Sequence, residues 1–227
     1  MRFCRRWRMC LRRLRKFTSI RSYLAHSCMQ DSTREFRNLF ASLIADVEDL
    51  SRLAHGSSQA SRSYVRAVFA LIEGITYAMK QLAASSSSAS FDTAESALLN
   101  EESYALDPSG KPRTRNAYLQ LLPNIRFAFA AMAKCDEADF VVDVSGVGWQ
   151  SLQRAMQVRH RLMHPKAASD LELEQSELND VGVAFRWFVA NVALCLRAKI
   201  LALSTITKAE VPSDLDRIEK YYSPFAK

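Results

Sequence analysis

Glycine and proline are scarce in this 227-residue sequence, at six each. That shortage excludes turn-dense β architectures and repetitive structural proteins, which need both residues at short intervals. Val, Ile, Thr and Tyr alternate with polar residues over no long run, so the period-two signal of a half-buried sheet is missing. There is no Cys-x-x-C. The five cysteines, Cys4, Cys10, Cys28, Cys135 and Cys195, are odd in number and irregular in spacing. Neither a disulfide framework nor a zinc site follows, and a reducing cytoplasm is the expected compartment. The N-terminus lacks the apolar segment of a secretory signal. The longest apolar run, Trp187 to Leu203, is interrupted by Arg197 and Lys199, which argues against a membrane span.

Acids are missing from residues 1–28, which hold Arg2, Arg5, Arg6, Arg8, Arg12, Arg13, Arg15, Lys16 and Arg21. The formal net charge of the chain is +7, so with these nine charges set aside residues 29–227 carry −2. The basic balance belongs to residues 1–30, an N-terminal arm. Three readings of it stand side by side: an amphipathic arm that meets nucleic acid or an anionic membrane, a disordered tail, or an over-extended start with Met29 as the initiator.

What is abundant is Leu, Ala, Arg, Glu and Met, the composition of a helical protein. The expected fold is all-α, an antiparallel bundle of four to five helices over residues 31–207 with short helical insertions, followed by a tail over 208–227 holding one more short helix. Ser32 and Glu35, three apart, read as a capping box. Phe36, Leu39, Phe40, Leu43, Ile44, Val47 and Leu50 then recur at helical spacing up to His55-Gly56. A second helix over Ser58–Ala84 buries Val65, Val68, Phe69, Ile72, Ile75, Thr76, Met79 and Leu82. Arg66, Glu73 and Lys80 line the edge of that face. Ser85–Ser90 reads as a flexible connection, and a short helix is expected over Thr93–Glu102. Asp107 to Pro112 is a turn or loop, made basic by Lys111, Arg113 and Arg115. A third long helix spans Tyr118–Lys134, with Pro123 in its first turn. A fourth spans Trp149–Met163. A fifth, apolar on most sides, spans Ser176–Thr207 and belongs in the core or at a subunit interface.

The fourth helix ends in the densest polar cluster of the chain, Val158-Arg159-His160-Arg161-Leu162-Met163-His164-Pro165. At about 100° per residue, Arg159 falls between Leu152, Met156 and Met163, in the middle of the apolar face. A charge there is costly unless it is paired or lines a cleft. His160 and His164 sit together at the border of the face, and Arg161 projects to solvent. Pro165 ends the helix by restricting His164 to an extended backbone. Imidazoles exchange protons near neutrality, and a guanidinium holds and neutralises a phosphate. These are the parts of metal-independent RNA cleavage. The bland alternative is a helix-ending His with an Arg paired to Glu73 or another acid. A metal site at His160 and His164 lacks a third ligand nearby, and no cofactor is implied.

Arg159 to Pro165 resembles the signature of the HEPN superfamily: Arg, a polar residue, then a short spacer ending in His. The residue after Arg is most often Asn in that family, and here it is His160. Ser61–Gly74 resembles an early helix of the same family, and Asn179–Phe188 the helix after its motif. The resemblance covers roughly residues 31–207. It implies a four- to five-helix bundle and a homodimer that pairs two Arg/His motifs across one cleft. It also implies a metal-independent endoribonuclease of toxin–antitoxin or anti-phage type, with RNA as substrate and a cognate antitoxin or defence protein as a partner. Other members are non-catalytic modules that bind protein or nucleotide. By the resemblance Arg159 and His164 form the catalytic pair and His160 is the polar helper. Glu73 is added from the residues alone, either as an acid that orients Arg159 from the second helix or as a solvated flank.

Overall fold

The computed structural model describes residues 27–54, 56–86, 89–207, 211–212 and 214–226. The expectations for residues 1–26 lie outside the described residues. Helix α1 spans Ser27–Leu53. α2 spans Ser58–Ala84, and α3 spans Thr93–Leu99. A hairpin of β1 (Glu102–Leu106) and β2 (Pro112–Asn116) follows. Then come α4 (Leu121–Lys134), α5 (Val147–Met163), α6 (Gln175–Thr207) and α7 (Leu215–Tyr222). The described chain is mostly helical, and its sheet has two strands.

The bundle is built from amphipathic pairs. α1 and α2 pack as consecutive helices joined by residues 54–57. The Ser57 side chain caps α2 by accepting from the Ala60 N–H, which satisfies one of the orphan donors of the first turn. Every apolar-face residue expected on α2 is buried. α5 runs antiparallel to both its neighbours. Against α2 it pairs Arg159 with Glu73 and the Leu162 carbonyl with Arg66. Against α6 it pairs Trp149 with Trp187, Ser151 with Asp180 and Arg161 with Glu177. α6 lies at the centre, touching α2, α4, α5 and α7. Its Arg197 bonds Glu219 and its Lys199 bonds Asp136, so both cations that interrupt the apolar run have partners in the fold. By length and hydropathy this helix also meets the requirement for a membrane span.

One glycine is required by contact. A Cβ on Gly148 would stand 2.2 Å from the Trp187 ring, so only a bare Cα lets α6 bring that indole onto α5.

Several expectations are corrected. α1 is already helical at Ser27, so Ser32 lies inside the helix and not at its first turn, and the change of composition at Met29 falls within it. The short helix ends at Leu99, because Glu101 adopts φ +54° and turns the chain into β1. The segment with Lys111, Arg113 and Arg115 is mostly a strand. Asp107 closes the turn by accepting from Ser109 and Lys111, and Gly110 supplies φ +78°, a left-handed turn position that favours glycine. The insertion between α2 and α4 is therefore part helix and part hairpin. α4 starts three residues later than expected, with Pro123 in its first turn.

Candidate functional site at the end of helix α5

Helix α5 stops at Met163, and His164 leaves the helical region at φ −132°, ψ 56°. The proline at 165 accounts for this, since its ring disfavours a helical residue before it. The His164 N–H still closes the last turn on the His160 carbonyl at 3.1 Å. Both imidazoles are exposed.

Arg159 behaves differently from its neighbours. Its side chain is 25% exposed and donates from Nη2 to Glu73 Oε1 at 2.6 Å across the α2–α5 seam. The structure thus brings Glu73, Arg159, His160 and His164 to one helix end, with Glu73 and Arg159 in contact. The charge in the apolar face is paired, as its cost requires. The pair is partly open, and the other guanidinium N–H groups of Arg159 donate no hydrogen bond among the described residues. Four residues further along α5, Met163 is 48% exposed, although the wheel placed it in the apolar face. Leu162 beside it is buried, so only the outward side of the last turn is left open. Four residues along α2 from Glu73, Tyr77 is also exposed. Helical spacing puts Tyr77 and Met163 on the faces that carry Glu73 and Arg159.

Two residues hold this end in place that the sequence reading did not put in that role. Arg66 on α2 reaches the Leu162 carbonyl at 3.4 Å, meeting one of the orphan acceptors at the end of α5. Arg161, expected on plain solvent-facing surface, is a clamp. It donates to the Asp170 and Glu172 carbonyls and to Glu177 Oε2. Its projection away from the core was read correctly, but the chain after Pro165 folds back to cover it. Asp170 closes the same loop by accepting from the Lys166 and Ala167 N–H groups, which hold its carboxyl below the usual range. Arg154 and Ser151 similarly bond Asp180, and Arg154 holds that carboxyl low. The only available sequence signal for the clamp was Glu177 at sixteen residues' remove, too far for any local rule.

The third member of the polar line on α2, Lys80, is not part of this site. It is fully buried and bonds Glu101 Oε1 at 2.7 Å. Its expected place at the edge of the apolar face is overturned because α3 and Glu101 just after it close over that edge. Burial pulls its ammonium pKa down, and Glu101 offsets part of that.

Among the described residues there is no group of three or more His, Cys, Asp or Glu that could hold a metal ion. Cys135 and Cys195 are buried, and burial pushes the Cys195 thiol up to about 12, so neither offers a reactive thiolate at neutral pH. Comparison with protein-family models, with curated proteins and with solved structures finds no match to this chain.

Proposed function

We propose that the chain is a metal-independent RNA endonuclease of the HEPN type, active as a homodimer in anti-phage defence or a toxin–antitoxin system. The observation that carries the proposal is the division of labour at the end of α5: Arg159 is drawn into the seam beside Glu73 while His160 and His164 stand in solvent. In this reading one imidazole takes the proton from the ribose 2′-OH. The 2′-oxygen attacks phosphorus, the P–O5′ bond breaks, and a second imidazole returns a proton to the leaving oxygen. The guanidinium of Arg159 offsets charge on the pentacoordinate phosphorus, oriented by Glu73. The products are a 2′,3′-cyclic phosphate and a 5′-hydroxyl. Exposed Met163 and Tyr77 flank the Arg159–Glu73 pair, a surface suited to a second copy that supplies the other motif.

The experiment is cleavage of single-stranded RNA by the purified full chain with excess chelator. Cleavage that persists, ends in cyclic phosphate and disappears in Arg159→Ala and His164→Ala supports the proposal, with circular dichroism showing both variants folded. Strict dependence on a divalent metal refutes this mechanism.

A second reading is favoured by the same ion pair. Arg159 already bonded to Glu73 suits a non-catalytic module that binds protein or nucleotide. It predicts no cleavage and no toxicity on expression.

A further inference from the structure

On the flank of the same bundle end, the last turn of α1, the start of α2 and the start of α6 leave a cavity of about 350 Å³. Ser51, Tyr64, Gln175, Asn179 and Arg186 supply its polar wall, and Ala54, Leu178 and Val183 its apolar wall, with Gly182 between them. The volume lies at the lower end of the range for small-molecule sites, and the lining has their usual mixture of apolar surface and a few converging polar groups.

The polar groups are unbalanced in one direction. Arg186 makes no ion pair or hydrogen bond among the described residues, and no carboxylate lines the cavity. Tyr64 is only 8% exposed, yet its hydroxyl has no hydrogen-bond partner among the described residues. That leaves the hydroxyl at the cavity wall available to a ligand. Both groups converge on the bare Cα of Gly182. An atom standing where a Cβ would be lies 3.5 Å from Arg186 Nη1 and 3.6 Å from Tyr64 Oη. Asn179 keeps its Oδ1 occupied by Gln175 at 3.2 Å, which turns its amide N–H groups into the remaining donors. Arg186, Tyr64 and the Asn179 amide thus offer donors at the cavity wall. Burial raises the Tyr64 hydroxyl pKa against the opposing pull of the Arg186 cation, so the phenol stays a donor at neutral pH.

We infer that this cavity is a binding site for a small organic anion, its carboxylate or phosphate head on Arg186 and Tyr64 and its apolar body against Leu178 and Val183. The inference does not rest on the ribonuclease reading. The site uses none of the residues of the Arg159–His164 cluster.

The test is calorimetric titration of the full chain with matched probes: benzoate, phenyl phosphate, inorganic phosphate and neutral benzamide. Benzoate and phenyl phosphate differ only in the head, so their order of affinity separates the two anion classes. Saturable binding of one of them, with benzamide silent, is the expected result. Arg186→Met should weaken it at least about tenfold, the effect of removing one charge-assisted contact. Tyr64→Phe, which deletes a single oxygen, should weaken it about threefold and serves if Arg186→Met fails to fold. Gly182→Val should fill the point of convergence and abolish binding. Absence of saturable binding by both organic anions up to about 10 mM overturns the proposal, since ligands of this size that use a pocket bind more tightly than that. Affinity unchanged in both Arg186→Met and Tyr64→Phe overturns it equally.

Discussion

The two ends of the bundle handle charge differently: the near end has ion pairs of its own, Arg159–Glu73 and Arg161–Glu177, but also keeps cations that meet no carboxylate among the described residues. At the far end, Lys199 on α6 meets Asp136 and Lys80 on α2 meets Glu101, and all four groups are committed to each other or to neighbouring backbone. Asp136 takes φ +65° to reach its partner. At the near end, with Arg186 about 20 Å from Lys199 along α6, Arg62, Arg66 and Arg186 have no carboxylate partner among the described residues, and His160 and His164 face solvent. Titratable groups that are buried and satisfied serve the fold. Titratable groups left with unused capacity in a cleft are where binding and chemistry are sought. The contrast separates charge committed to the fold from charge still open to a partner.

The largest expected effect lies at the far end. Asp136→Asn keeps a side chain that tolerates the left-handed backbone but leaves Lys199 buried against a neutral partner. Unfolding in urea should show a loss of about 3 kcal/mol, the cost of a broken buried pair. The double variant with Lys199→Met should recover most of it. A loss below ~1 kcal/mol would mean that this pair is hydrated and the contrast between the ends is false. Next comes Gly148→Ala, expected to cost about 2–3 kcal/mol because its methyl must displace the Trp187 ring; the near-ultraviolet signal of the tryptophans should change with it.

At the near end the effects on stability shrink while the effects on the site grow. Arg161→Ala removes two hydrogen bonds to the loop after His164 and one to Glu177 on α6. It should cost about 1–2 kcal/mol and raise amide exchange over residues 165–174. Glu73→Gln should change stability by less than about 1 kcal/mol, because the pair is partly exposed. Under the proposed function it should still lower cleavage through kcat. Equal activity in wild type and Glu73→Gln would leave Glu73 a solvated flank.

The smallest effect is in pH. The Lys166 and Ala167 N–H groups hold Asp170 low, and Arg154 holds Asp180 low. A carboxyl depressed in the folded state adds stability that is complete above the unfolded value, near pH 4, and is lost as pH falls through the folded one. Thermal melts should therefore be flat above about pH 5 and decline below about pH 4. Asp180→Asn should make that decline shallower.

α2 and the start of the candidate site were legible in the sequence because both depend on local repetition. The three–four spacing of Val65, Val68, Phe69, Ile72 and Ile75 defines a helix whatever surrounds it, and the same arithmetic placed Arg159 in an apolar face that demanded a partner. Glu73 was a reasonable partner on sequence grounds, as a carboxylate at the edge of another apolar face. Lys80 stands at an equivalent edge, yet nothing local to α2 says that α3 and Glu101 will cover it. The Asp107–Gly110 turn carried its own signal in residue type, but the strands flanking it have no alternation of apolar and polar residues. β2 is exposed throughout, so burial never imposed a pattern on it.

The sequence by itself determined the long helices, most of the core face of each, and the break at Pro165, because backbone propensity and amphipathic period act over a few residues. Tertiary structure alone decided which charges are spent. Arg161 became a clamp, Lys80 a buried cation, and Arg186 an uncompensated donor beside Tyr64 through contacts between segments far apart in the chain. Coulomb and hydrogen-bond energies depend on distances in space, and no spacing along the chain fixes those until the helices have packed.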